Sequence, residues 1–223
     1  MSRAAILAGV RQALGRDGPL EGEALAALDR RLAQPRPNLV PTRGRVPLED
    51  RVALFARLAG EVGATTERLA ATDVPMAIAR YLAQQNLPAA AAIAPDPALD
   101  ALPWSTAPML ALKRGPTQGD NLVGVSRAFA AVAETGTLVM LSGPDSPTTL
   151  NFLSETHVVV LPVARLAGTY EEVWARLRAE RDAIPRTVNL ITGPSRTADI
   201  EQTIQRGAHG PRWLHILLVD DEG

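Results

Sequence analysis

Two short runs in the second half of the chain, Thr137-Leu138-Val139-Met140-Leu141 and His157-Val158-Val159-Val160-Leu161, are apolar at nearly every position. A strand with one wet face alternates apolar and polar residues, whereas a strand that is apolar throughout is covered on both faces. Such runs, interleaved with helical patterns, imply a mainly parallel sheet with helices packed over both sides. Further strands are expected at residues 65–69, 89–94, 109–112, 187–192 and 213–219. Ligands of such sheets sit outside the carboxyl ends of the strands, so the loops leaving strands are the places to look for chemistry.

The helices announce themselves through spacing and caps. Leu48, Val52, Phe55, Leu58 and Val62 share one stripe that stops near Gly63. Thr72 or Asp73 can cap the next helix, with Pro75 in its first turn. Ser126 can cap a short helix through Ala133, and Ser146-Pro147 opens another. Thr169-Tyr170-Glu171-Glu172 fits a capping box ahead of Val173, Trp174 and Leu177. A last helix is expected over residues 197–205.

The N-terminal part has a different character. Ile6, Val10 and Ala13 form one helical stripe ending at Gly15, and Leu25, Leu28 and Leu32 form a second. Pro35, Pro37, Pro41 and Pro47, mixed with Arg36, Arg43 and Arg45, then favour an extended connector. Residues 1–47 therefore read as a helical arm and its linker, and residues 48–223 as one α/β domain. The arm either packs on its own domain or docks on a partner subunit, and the sequence is compatible with both.

Charge and residue usage remove several function classes. Lys and Arg number 23 against 24 Asp and Glu, a net charge of −1. That balance lacks the positive field that nucleic acid or an anionic membrane surface requires. There is no cysteine, so a disulfide, a thiolate nucleophile and an iron–sulfur cluster held by this chain alone are excluded. Aromatics are only 4%, which leaves Ala, Leu, Val and Ile to build the core. No apolar run approaches the roughly 20 residues that cross a bilayer. The first apolar stretch is broken by Arg11 and Gln12, unlike a signal peptide. The expected location is the cytoplasm.

Three loops carry candidate chemistry. In Ala133-Glu134-Thr135-Gly136-Thr137, Gly136 permits a tight turn into a buried strand. Glu134 can serve there as general base, nucleophile or hydrogen-bond acceptor, or simply satisfy nearby backbone amides. In Thr192-Gly193-Pro194-Ser195-Arg196-Thr197-Ala198-Asp199, a glycine turn precedes hydroxyls and a cation at an expected helix start. Gly193, Ser195, Arg196 and Thr197 there suit a carboxylate or phosphate; alternatively Thr197 merely caps the helix and Asp199 complements its dipole. The loop is neither a Walker A nor a GxGxxG motif. In Arg206-Gly207-Ala208-His209-Gly210-Pro211, Gly207 and Gly210 set off an imidazole that can act near neutral pH. His157 and His215 fall in strands and read as packed histidines, and no pair has zinc-ligand spacing. A Ser195, His209, Asp199 triad can be drawn, but Gly-x-Ser-x-Gly is absent.

These three segments, in this order, resemble the signature of the LUD domain, and most closely the lactate utilisation protein C (LutC/YkgG) family. The likeness spans roughly residues 48–223. It implies a three-layer α/β/α fold like the NagB/RpiA/CoA-transferase superfamily, with the helical arm in front. It also implies a part in oxidising L-lactate to pyruvate beside iron–sulfur partner subunits that carry the clusters, with no cofactor bound by this chain alone. The resemblance supplies no reaction for this subunit, and a fold does not establish one. Three readings follow: a cluster-free component binding a small anion at the Glu134, Ser195 and His209 loops; a free-standing CoA-transferase-like or sugar-phosphate enzyme using Glu134; and a non-catalytic assembly protein. Glu134 and His209 are the catalytic candidates, with Thr135, Gly136, Thr137, Gly193, Ser195, Arg196, Thr197, Asp199, Gly207 and Gly210 around the ligand. The oligomeric state stays open, a homo-oligomer included.

Overall fold

The computed structural model describes residues 2–16, 18–37, 39–197 and 205–220. It divides into two compact units, Met1–Leu39 and Val40–Gly223. The first holds α1 (Arg3–Ala13) and α2 (Gly22–Ala33). The Ser2 hydroxyl caps α1 by accepting the Ala5 N–H at 3.3 Å.

The second unit contains, in order, α3 (Leu48–Glu61), β1 (Thr65–Ala70), α4 (Val74–Gln84), β2 (Ala90–Ile93), α5 (Pro97–Asp100), β3 (Ala111–Arg114), β4 (Val123–Arg127), β5 (Ala130–Val132) and β6 (Thr137–Leu141). It continues with α6 (Thr148–Phe152), β7 (Thr156–Pro162), β8 (Leu166–Ala167), α7 (Tyr170–Glu180), β9 (Val188–Ile191), β10 (Arg196–Thr197), β11 (Gln205–Arg206) and β12 (Trp213–Asp220). Six strands in the order β1-β12-β7-β4-β2-β3 form one sheet, parallel at every pairing. The α/β architecture with a parallel sheet expected from the apolar runs is present.

The sequence reading does not contain the second sheet, β8-β5-β6-β9, in which β6 runs antiparallel to both β5 and β9. Along β7, Val158 and Val160 face the cluster built on α4, while Val159 and Leu161 face the cluster holding Phe55 and Ala59 of α3. Leu138 and Met140 of β6 join that second cluster, and Val139 and Leu141 pack with Val173 and Leu177 of α7. This explains why β6 is apolar throughout without belonging to the parallel sheet. Its inner face rests on that sheet and its outer face is covered by a helix.

One helical expectation gives way to strands here. The segment from Ser126 to Ala133, read as a capped helix, is the end of β4 followed by β5. Alanine favours a helix in isolation, but Ala128, Ala130, Ala131 and Ala133 are completely buried, and small side chains are what the gap between two packed sheets admits. The expected strand at 109–112 begins two residues later, at Ala111. The capping box is present in altered form: the Thr169 hydroxyl accepts the Glu172 N–H, and the Glu172 carboxylate reaches back to the Gly168 N–H. Asp73 precedes α4 but makes no side-chain cap bond.

Candidate functional site

The site starts at the turn that leaves β9. Gly193 has φ +81°, and a Cβ there would stand 2.8 Å from Val62 Cγ2, so the turn fits against α3's end only without a side chain. Ser195 follows and fastens the turn to the one before β12. Its N–H donates to the Pro211 carbonyl at 2.8 Å, and its own carbonyl accepts the Gly207 N–H at 3.0 Å. Its hydroxyl accepts the His209 N–H at 3.1 Å. Arg196 and Thr197 then pair, antiparallel, with Arg206 and Gln205.

That pairing corrects the helix expected over 197–205 at its two described ends: Thr197 and Gln205 are opposite one another in a ladder. The rest of the expected helix, Asp199 included, lies outside the described residues. Thr197 ends β10, so an anion at Ser195–Thr197 is argued from side chains and not from a helix start at Thr197. The Arg196 guanidinium and the Ser195 hydroxyl remain. The drawn triad is corrected too, because Ser195 Oγ meets the backbone N–H of His209 and not its imidazole.

Gly193, Ser195, Arg196, His209 and Gly210 line a cavity of about 250 Å³. Phe152, Leu190, Pro211 and Leu214 supply apolar walls, and the buried Asn151 and His157 also line it. His157 and Leu214 are the second residues of β7 and β12, so the cavity opens at the amino ends of these parallel strands. The expectation of a site at the carboxyl ends is corrected: the loop that builds this one leaves β9 of the second sheet. A separate hollow of about 220 Å³, lined by Arg127, Pro162 and Asp220, does lie at the carboxyl edge.

The cavity's inner end is polar but uncharged. His157 is completely buried. Its Nε2 lies 2.6 Å from Ser126 Oγ, and that hydroxyl is 3.5 Å from Asn151 Oδ1. Burial pushes the His157 imidazole down to about 3, so it is neutral at ordinary pH. His157 Nδ1 and Asn151 Nδ2 are buried without a hydrogen-bond partner among the described residues. His157 is a packed strand histidine, as expected. Sequence reasoning missed Asn151, which nothing distinguished.

The Glu134 turn is built differently. Glu134, Thr135, Gly136, Thr137 and Thr197 are not among the residues lining the cavity, and Gly207 lines only an adjoining hollow with His209. Gly136 has φ +65°, and a Cβ would fall 2.7 Å from the Ala59 nitrogen. The Glu134 N–H donates to the Gly168 carbonyl at 3.1 Å. Its Oε2 is buried without a hydrogen bond among the described residues, 3.9 Å from Arg43 Nε. Arg43 is brought there because Gly44 and Gly168 touch backbone to backbone: a Cβ on Gly44 would lie 2.3 Å from the Gly168 oxygen. One thread joins this turn to the cavity. Thr137 Oγ1 is 3.0 Å from the Tyr170 hydroxyl and 2.7 Å from that of Thr192, a wall residue.

Comparison with known proteins places this architecture. A Deinococcus radiodurans DUF162 family protein of known crystal structure superposes with a TM-score of 0.55 at 22% identity, covering 78% of this chain and 99% of that one, which shows a shared fold. An uncharacterised protein of Neisseria meningitidis serogroup B is 36% identical over 96 residues, 43% of this chain and 41% of that protein. Lactate utilization protein C of Bacillus licheniformis is 31% identical over 44% of this chain and 42% of its own length. Its namesake in Halalkalibacterium halodurans is 31% identical over 47% and 50%. The matches to the Neisseria, Bacillus and Halalkalibacterium proteins thus span half or less of those relatives. The LUD domain family model matches residues 76–219, a stretch that runs from α4 into β12 and holds both the cavity and the Glu134 turn, and the chain belongs to the LUD domain family.

Proposed function

We propose that this chain works in lactate utilisation as a component that binds a small carboxylate, the redox chemistry being carried by iron–sulfur partner subunits. The relatives named lactate utilization protein C support the role. The absence of cysteine from the sequence fits a division of labour in which clusters are held elsewhere. The observation that carries the reading is the 250 Å³ cavity, which combines a cation and a hydroxyl, Arg196 and Ser195, with apolar walls. A concave, mostly apolar hollow with a few convergent polar groups is the usual form of a small-ligand site.

The carboxylate is held by Arg196 and the Ser195 hydroxyl, with the His209 ring beside them. Thermal unfolding of the purified chain in lactate, pyruvate and acetate, against chloride at equal ionic strength, tests this. Saturable stabilisation is expected, and a flat response to all three would overturn it. Lactate turnover by the chain alone, without partners, metal or flavin, would contradict the partner-dependent role.

Glu134 sustains a second reading, a transferase with a carboxylate nucleophile, on the ground that its Oε2 is buried and unbonded. Its side chain is only 4% exposed, so acyl transfer would need the Arg43 segment to withdraw. A covalent adduct at Glu134 after incubation with acyl-CoA donors, absent in Glu134→Gln, would establish that reading. No adduct would remove it.

A further inference from the structure

The short ladder of β10 and β11 sets two like charges against each other. Arg196 is directly opposite Arg206, and opposed residues of an antiparallel pair share one face with their Cβ atoms roughly 5 Å apart. Like charges so placed destabilise a ladder. Neither arginine has an ion pair among the described residues, so an anion between or beside them relieves that cost. Arg196 lines the cavity, whereas Arg206 lines an outer hollow of about 560 Å³ together with Arg212 and His209. Glu155 is the one acid among the described residues lining this hollow, and it stands 4.0 Å from Arg212. Arg206 and Arg212 both lie over the Trp213 ring, 5.5 and 5.8 Å from its centroid, which holds both guanidiniums in place before any ligand arrives. Phe152, His209 and Gly210 line both hollows, so the two adjoin.

We infer that the outer hollow is a phosphate subsite, and that the ligand is a small carboxylic acid bearing a phosphate group. The carboxylate sits at Arg196 and Ser195, and the phosphate at Arg206 and Arg212, beside His209. A phosphate monoester carries close to two negative charges near neutral pH and offers three acceptor oxygens, which matches two planar guanidinium forks. A second carboxylate would balance only one of them. The opposed arginine stems keep the two anionic groups close together, as they are in a short molecule. This rests on the cavity being the carboxylate site proposed above, and it adds a second charged group to the ligand.

Calorimetric titration of the full chain with acetate, inorganic phosphate and phosphoglycolate, at one pH and ionic strength, decides the matter. Phosphoglycolate, which carries both groups, should bind tighter than either of the others by roughly tenfold or more. Arg206→Gln, an exchange at an exposed position, should weaken phosphoglycolate and inorganic phosphate by roughly tenfold and leave acetate within about twofold. Acetate binding with phosphoglycolate no tighter would overturn the phosphate subsite and leave the carboxylate site in place. Phosphate binding that depends on Arg206, with acetate silent and phosphoglycolate no tighter than phosphate, would overturn the carboxylate site and with it the two-group ligand. An equal loss for all three probes in Arg206→Gln would also overturn the assignment, because it marks a general change of field and not a local contact.

Discussion

The Ser195 hydroxyl accepts the backbone N–H of His209 at 3.1 Å, across 14 positions of sequence. With the Ser195–Pro211 and Gly207–Ser195 bonds, it makes two glycine-marked turns into one rim. Ser195→Ala should cost about 1 kcal/mol in urea denaturation, the ordinary net worth of one hydrogen bond. The more diagnostic readout is amide exchange, which should accelerate at His209. Unchanged exchange there would mean that the rim does not depend on this contact.

Arg196 is the cation of the proposed site. Arg196→Ala should weaken carboxylate binding by roughly tenfold to a hundredfold, as expected when a charge-assisted hydrogen bond is lost. It should also flatten the dependence of affinity on salt concentration. An unchanged affinity and salt response would place the anion elsewhere.

The contact between Gly44 and Gly168 holds Arg43 beside Glu134. A Cβ on Gly44 would meet the Gly168 oxygen at 2.3 Å, and one on Gly168 would meet the Gly44 oxygen at 2.0 Å, with backbone on both sides and nothing flexible to yield. Gly44→Ala and Gly168→Ala should each destabilise by about 1–3 kcal/mol. Gly60→Ala is the control. That glycine lies in α3 with nothing within 4 Å of a new Cβ, and the change should be neutral or stabilising by up to about 1 kcal/mol. Equal denaturation midpoints for Gly44→Ala and the wild type would dismiss the clamp.

Two buried histidines set an acid limit. His157 is held down at about 3 by burial, and His215 at about 4 by burial and then by the charge of Arg80. His215 stacks on Tyr81 at 4.1 Å between centroids, and its Nδ1 is 2.8 Å from the Thr65 hydroxyl. In the unfolded chain both rings take up protons below about 6.5, while the folded chain resists. Stability is therefore complete above that pH and declines as pH falls towards 4. The slope is on the order of 1 kcal/mol per pH unit for each ring. Below about 4 the His215 share stops changing, and the His157 share continues to about 3. Urea midpoints measured from pH 7 to 4.5 check this. A midpoint constant down to pH 5 would contradict it.

What the sequence revealed and what it hid have physical causes. Burial on both faces leaves a trace in every residue of a strand, so β6 and β7 were legible, as was the covered α/β architecture. Which sheet a covered strand joins leaves no such trace, because Leu138 and Val139 are equally apolar whether their neighbours are helices or strands. The alanines from 128 to 133 misled because helix propensity and tight packing between sheets select the same residue. Local motifs located the glycine turns around Ser195 and His209, but Thr197, which ends β10, was read as opening a helix because hydroxyl and acidic residues suit a cap as well as a two-residue ladder. Asn151 and Ser126 could not be found in advance, since their importance comes from meeting His157 across elements.

The most direct test is a crystal structure of the chain with a bound small carboxylic acid. The account requires the acid in the cavity between β9 and the amino ends of β7 and β12, with its carboxylate at Arg196 and Ser195. An acid found instead at the carboxyl edge, beside Arg127 and Asp220, with this cavity holding only water, would contradict it.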